Sequence, residues 1–322
     1  MRATALKMIH ALAKRDPRVL YIGSDPGGGT LDAMKAEFPD RFFIEGISEA
    51  NVIGMAAGLA MEGFIPYVNT IATFLTRRCY DQIAVDLCLH QLPVRLIANG
   101  GGLVYAPLGP THQAIEDIAI MRALPNMTVV AVSDAQEMTR FMELSLDWPG
   151  PIYVRLAKGG DPIISRPELG FAIGEPILLR PPGDVLLVST GVLSGQALAA
   201  ADTLVNDGIA CGVLHVHTIK PFDATTLAKL ARDVRLIVTV EEHTRIGGLG
   251  STVLEALSES LDQALPQVIR LGIPDCFSHN YGSQEGLFKH YGLDANAIVA
   301  AVQRATGHEP IGVSEAAGGR SR

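Results

Sequence analysis

No stretch of the 322-residue chain reaches the roughly 18 uncharged apolar residues that a membrane-spanning helix needs. The nearest, residues 52–61, is ended by Glu62. The N-terminal segment MRATALKMIHALAKRDP reads as a short amphipathic helix and lacks the small-residue cleavage site of a secretory signal. Cysteine is scarce: Cys79, Cys88, Cys211 and Cys276 are scattered and form no CxxC pair. That argues against a disulfide framework and a zinc site, and the expectation is a cytoplasmic chain. Basic charge is short as well. A net charge of −8 argues against nucleic acid or an anionic membrane as the main partner, because both select a basic face. Neither GxGxxG nor GxxxxGK(S/T) occurs, and no GxSxG elbow offers a serine nucleophile.

What is present is apolar material: 48% hydrophobic residues against 19% charged, enough to bury a core in about two domains of ~100–200 residues each. Short β-rich runs alternate with helical stretches. RVLYIGS, RFFIEGI, IPYVN, PVRLIAN, MTVVAV and PIYVRL read as strands, with helices over 30–40, 49–61, 74–91, 113–124 and 134–147 between them. Residues 158–183 break the rhythm with Pro and Gly and read as a surface linker. The alternation then restarts with DVLLVST, ACGVLHV, RLIVTVEE and QVIRLGI as strands. The predicted fold class is α/β, with two doubly wound, mostly parallel-sheet domains over 1–157 and 184–306. Residues 307–322 read as a disordered tail.

Four features could carry chemistry. Glu49 opens an almost wholly small and apolar helix, ISEANVIGMAAGLA, either as a cap or as a buried acid. GSDPGGGT, between a strand and a helix, could cradle a phosphate, although a plain turn is the better reading. NGGGLVYAPLGPTHQ, with Tyr105 and His112, is long and Gly-rich in the manner of a pocket-lining loop. At the start of the helix expected from residue 113, the dipole would oppose protonation of His112. His215 and His217 alternate along a strand with no ligand partner at metal spacing, which favours packing. His243, after two glutamates and before RIGGLG, is a candidate pocket rim.

Six motifs, GISEANVIGMAAGLA, TFLTRRCYDQI, GPTHQAIEDIAIMRALPNM, PIYVRLAKGG, HTIKPFD and VEEHTRIGGLGS, occur in the order and at the spacing of the C-terminal half of transketolase and 1-deoxyxylulose-5-phosphate synthase. The chain resembles that family from about residue 2 to 305. The resemblance implies a pyrimidine-binding domain for thiamine diphosphate over 1–157 and a transketolase-like C-terminal domain over 184–306. It implies that Glu49 meets N1′ of the cofactor's aminopyrimidine, in an apolar setting that disfavours the charged carboxyl. It implies Phe74 stacked on that ring, His112 as a catalytic and substrate contact, and Arg155 as a ligand for a substrate phosphate. Arg77 or Arg78 matches a further active-site arginine, Arg77 being taken here, and one extra residue before YDQ leaves the choice open. Tyr105 and His243 are expected toward the substrate.

Three positions depart from the family pattern. Leu108 stands where an aspartate addresses the sugar hydroxyl, Gly101 where the synthase has a phosphate-binding arginine, and Lys158 where it has a second arginine. These point to a different or less polar substrate. The GDG signature that holds Mg²⁺ and the diphosphate is missing from this chain, and no metal ligands are assigned in it. The expectation is therefore a β-type subunit of a split transketolase-like carboligase moving a two-carbon ketol or acyl unit. An α-type subunit would complete an α2β2 heterotetramer and supply the Mg²⁺ ligands, and the substrate would be a ketose, aldehyde or 2-oxoacid. The alternatives are the β subunit of a 2-oxoacid dehydrogenase decarboxylase and a non-catalytic scaffold of the same fold.

Overall fold

The computed structural model describes residues 1–24, 29–260 and 265–308. The first half runs α1 (Arg2–Arg15), β1 (Val19–Gly23), α2 (Asp32–Glu37), β2 (Phe42–Ile44), α3 (Glu49–Met61), β3 (Ile65–Ile71), α4 (Ala72–Arg78) and α5 (Tyr80–Gln82). It continues through β4 (Arg95–Asn99), α6 (Asp117–Ala123), β5 (Thr128–Val130), α7 (Ala135–Ser145) and β6 (Ile152–Leu156). The second half holds β7 (Ile177–Arg180), β8 (Val185–Ser189), α8 (Leu193–Asn206), β9 (Cys211–His215), β10 (Thr218–Lys220) and α9 (Ala224–Ala231). β11 (Leu236–Thr244), α10 (Leu249–Ser260), β12 (Gln267–Ile273), α11 (Gln284–Tyr291) and α12 (Ala295–Thr306) complete it.

Among the described residues there are two sheets, ordered β10-β5-β6-β4-β3-β1-β2 and β12-β11-β8-β9-β7. All neighbours are parallel except the edge pairs β10–β5 and β7–β9. Every residue of β1, β4, β6, β8 and β9 is buried, because helices cover both faces of each sheet. Successive side chains divide between the faces. Leu20 and Ile22 pack in one cluster with Val68 and Leu96, whereas Val19 and Tyr21 pack in the other with Tyr67 and Ile97. The expected pair of mostly parallel α/β units is present. No helix among the described residues is long and apolar enough to cross a membrane.

Three details differ from the sequence reading. The helix expected over 74–91 is broken after Arg78, and Ile83–Cys88 winds as a wider π-helix. The break falls at Cys79, immediately before YDQ. The segment 158–183, read as a surface linker, is anchored by Asp134, which accepts hydrogen bonds from Ile164 N and Ser165 N at 2.9 and 2.7 Å, and it contains an unforeseen strand, β7, at Ile177–Arg180. β10 crosses over to complete the first sheet, where Lys220 Nζ also donates to Arg122 O and Leu124 O. Residues 309–322 of the expected tail, and Asp25–Gly28 of GSDPGGGT, lie outside the described residues.

The two halves share polar as well as apolar contacts. Leu103, Ala106 and Ile115 belong to the same cluster as Leu187, Val238 and Val240. Glu137 on α7 meets His215 Nε2 at 2.9 Å, and Ser194 Oγ meets His215 Nδ1 at 2.6 Å. Both histidines of the β9–β10 segment pack as expected. His217 stacks on Phe171 with ring centroids 4.2 Å apart, and its Nδ1 meets Thr218 Oγ1 at 2.9 Å. Burial lowers the His217 pKa to about 4, assisted by His215 and Arg140 and opposed by Glu137. Arg95 is fully buried and collects the chain leaving α7, donating to Ser145 O at 2.6 Å, Gly150 O at 2.7 Å and Trp148 O at 2.5 Å.

Two stability predictions follow from these buried groups. Arg95→Met leaves the carbonyls of the 145–150 turn without donors and should cost about 3 kcal/mol in denaturant unfolding. His217 has a depressed pKa, so its contribution is complete above its unfolded value near 6.5 and is lost as pH falls toward 4. Stability should fall by on the order of 3 kcal/mol across that window, and His217→Phe should flatten the fall in pH-resolved thermal unfolding.

Candidate active site

β3 runs straight into α4, so Thr73 and Phe74 stand at the carboxyl end of a central parallel strand, where open α/β sheets bind ligands. α3 begins nearby with Glu49. The side chain of Ser48 turns back to Glu45 O at 2.9 Å and leaves the helix start uncapped by it. Glu49 is 6% exposed, and both of its carboxylate oxygens accept from Arg78 Nη1, at 3.2 and 3.1 Å. The Arg78 guanidinium lies over the Phe74 ring, 4.0 Å from its centroid. The Phe74 and His112 rings meet edge to face at 5.1 Å, with Tyr105 a further 6.4 Å from His112. Glu49, Arg78, Phe74, His112 and Tyr105 thus form one chain of contacts.

The loop that delivers Tyr105 and His112 is shaped by its glycines. A Cβ at Gly100 would lie 2.0 Å from the Tyr105 ring, one at Gly101 2.2 Å from Arg155 Cγ, and one at Gly102 2.4 Å from the Glu242 carboxyl carbon. Each of the three therefore seats a different side chain, and Gly100 and Gly102 also hold positive φ angles of 74° and 64°. Farther on, Gly102 and Ala114 exchange main-chain hydrogen bonds at 2.8 and 3.0 Å and close the loop at its base. That bridge delays the following helix to Asp117, so His112 lies in a turn and not at a helix N-terminus. The dipole argument for His112 fails for that reason.

Other expected site residues are spent on structure. Arg77 forks onto Glu116 and donates to Gln113 O at 3.1 Å, tying α4 to the loop; Arg78 faces Glu49 in its place. Burial pushes the Glu116 carboxyl up, but the Arg77 charge outweighs it and holds the group below its usual range. Arg155 is buried, ion-paired to Asp117 at 3.0 Å, and donates to Ala114 O and Glu242 O at 2.8 and 2.7 Å. That leaves its guanidinium committed inside the protein and not presented to a phosphate. His243 is fully buried, accepting from Ala119 N at 3.2 Å in the first turn of α6 and donating to Thr244 O at 2.6 Å. It closes a helix end rather than a pocket rim.

Three residues of this neighbourhood are not legible as site residues in the sequence. Arg78 stays ambiguous there because an arginine pair gives no facing direction. Asp117 and Glu242 are paired only through the fold, and the double glutamate at 241–242 is the one available signal for the latter. An apolar groove of about 810 Å³ runs between Thr76, Tyr80, Ile120, Ile246 and Phe277. Glu49, Phe74 and His112 do not line it, although Arg77, on the same helix as Phe74, does. Among the described residues no cluster of three or more His, Cys, Asp or Glu side chains could hold a metal.

The family profile for the pyrimidine binding domain of transketolase matches residues 1–160, and that for the transketolase C-terminal domain matches residues 174–298. The 6-deoxy-6-sulfo-D-fructose transketolase subunit SqwH of Clostridium sp. (strain MSTE9) is 34% identical over 95% of this chain and 94% of its own length. An apulose-4-phosphate transketolase subunit of Phocaeicola vulgatus is 35% identical over 89% of this chain and 91% of its own length. The 1-deoxy-D-xylulose-5-phosphate synthase of Syntrophotalea carbinolica is 37% identical over 93% of this chain but only 47% of the synthase. A solved structure described as split gene transketolase, inactive beta4 tetramer, superposes with a TM-score of 0.85 at 36% identity, over 96% of this chain and 98% of that one. The chain belongs to the transketolase family.

Proposed function

We propose that the chain is the pyrimidine-binding subunit of a split transketolase-like transferase that moves a two-carbon ketol unit with thiamine diphosphate. The observation that carries this reading is that one guanidinium, that of Arg78, joins the Glu49 carboxylate to the Phe74 ring, with His112 edge-on to that ring at 5.1 Å. Phe74 is half-buried and offers a face wide enough for an aminopyrimidine. Glu49, at 6% exposure, would be the carboxyl that holds a proton at N1′ of that ring. The residues present therefore fit the pyrimidine half of the cofactor. When bound, thiamine diphosphate supplies the nucleophilic carbon that carries the two-carbon unit.

The apolar setting foreseen for Glu49 is replaced by an ion pair with Arg78. Arg78 is half exposed and covers the face of Phe74 that the pyrimidine needs, so it must turn outward as the ring enters. His112, held by Thr111 Oγ1 at 2.9 Å, is placed to exchange a hydrogen bond with a substrate hydroxyl. Tyr105 walls that side. Leu108 is half exposed on the same loop, and with Arg155 committed elsewhere the donor or acceptor meets fewer polar anchors than an ordinary sugar phosphate would use.

The diphosphate and Mg²⁺ half of the site is assigned to an α-type partner in an α2β2 assembly. Support comes from relatives named as transketolase subunits of almost the same length.

Calorimetric titration of thiamine diphosphate with Mg²⁺ should show binding to the chain only when an α-type subunit is present. Tight binding to the chain alone would overturn the shared-site reading. In the assembled enzyme, Glu49→Gln should lower ketol transfer about 10³-fold, the scale of a lost acid–base group. Phe74→Ala should weaken cofactor binding about tenfold, the scale of one aromatic contact. Equal turnover by the Glu49→Gln enzyme would rule out its proposed role.

A further inference from the structure

β11 presents three ionisable residues in succession, and their duties differ. Glu241 accepts from Leu249 N and Gly250 N at 2.7 and 2.9 Å and caps α10. His243 receives the α6 amide already described. Glu242 points to the loop: its Oε1 accepts from Leu103 N and from Gln284 Nε2 of α11, both at 2.7 Å. Its carboxyl fills the space that the missing side chain of Gly102 leaves open. Its main-chain oxygen takes Arg155 Nη2 at 2.7 Å, and the same nitrogen holds Ala114 O. Both ends of the 102–114 loop therefore close on one residue of the second domain and its guanidinium neighbour.

We infer that Glu242 is a positioning residue that clamps the base of the 102–114 loop and so sets where His112 stands against Phe74. The clamp stands on the geometry alone; its consequence for turnover rests on the function proposed above. The charged groups facing Glu242 are Arg155 from β6 and, behind it, Asp117 from α6, whereas α11 contributes only the Gln284 amide and the loop only an N–H. Burial pushes the Glu242 carboxyl up to about 7 against the attraction of Arg155. Opening the clamp hydrates the carboxyl and returns it to the ordinary value of 4.5, which releases a proton between those limits. A raised carboxyl favours the closed form fully below 4.5, and that preference is lost as pH rises through 7. The loop should be tighter on the acid side.

Hydrogen exchange on the full chain tests this, with protection factors corrected for intrinsic rates and followed over residues 100–116 from pH 5 to 8. In the parent protein, protection should fall more than tenfold between pH 5 and 7 and then level off. Glu242→Gln keeps an oxygen for Leu103 N and loses the proton, so protection should persist and be flat with pH. Glu242→Ala and Gly102→Ala should each lower protection more than tenfold at every pH. Coincident pH curves for the parent and Glu242→Gln proteins would overturn the inference, as would unchanged loop protection in Glu242→Ala. If the alanine variants fail to fold, the glutamine comparison decides. In the assembled enzyme, Glu242→Gln should flatten the pH profile of kcat while KM stays constant. An assembly without thiamine-dependent turnover would sink the proposed function and leave the exchange result standing.

Discussion

Arg155 is a full positive charge withdrawn from water at the seam between two sheets, and the oxygens that answer it organise the region. Asp117 supplies the opposite charge, and Tyr153 donates its hydroxyl to the same Asp117 oxygen at 2.6 Å. Ala114 and Glu242 give main-chain carbonyls, one from each domain. A buried ion pair of this kind adds little net stability over an apolar packing, but removing either partner strands the other. What the arrangement secures is register: β6, α6, β11 and the Gly-rich loop can meet in one way only. The candidate site stands on that loop.

The sequence revealed the parts of the molecule whose causes are local. The helix at 49–61 came out with its observed ends, and the alternation of short β-rich runs with helical stretches announced parallel strands with helices on both faces. Glu49, Phe74 and His112 were legible because they lie in motifs shared with a family. What stayed hidden depends on distant partners. β7 and β10 are edge strands of four and three residues, too short to carry a periodic signal, and they exist because another strand is there to receive them. Two adjacent arginines cannot reveal which faces inward until a helix breaks beside them. Arg155 read as a site residue through the family resemblance, and His243 from its place after two glutamates and before RIGGLG; here each answers buried backbone groups instead.

The glycine triplet illustrates how a functional loop and a structural one can be the same object. Read as residues, Gly100, Gly101 and Gly102 suggest mobility. In the fold they are three sockets, filled by Tyr105, Arg155 and Glu242. The absence of a Cβ at each position permits packing denser than any larger residue would allow, so the loop is held by its glycines rather than loosened by them. Its rigidity comes from side chains contributed by the loop itself, by β6 and by β11.

β10 carries a consequence for how the chain reaches its native state. Until residue 220 has left the ribosome, the first sheet ends at β5 with a row of unpaired main-chain groups, although its other strands have all been synthesised. The nascent first half is therefore an unfinished sheet awaiting closure by a strand from the second. Any attempt to cut the molecule at 158–183 into two independently expressed halves would produce one fragment with a sticky edge and another with a dangling strand.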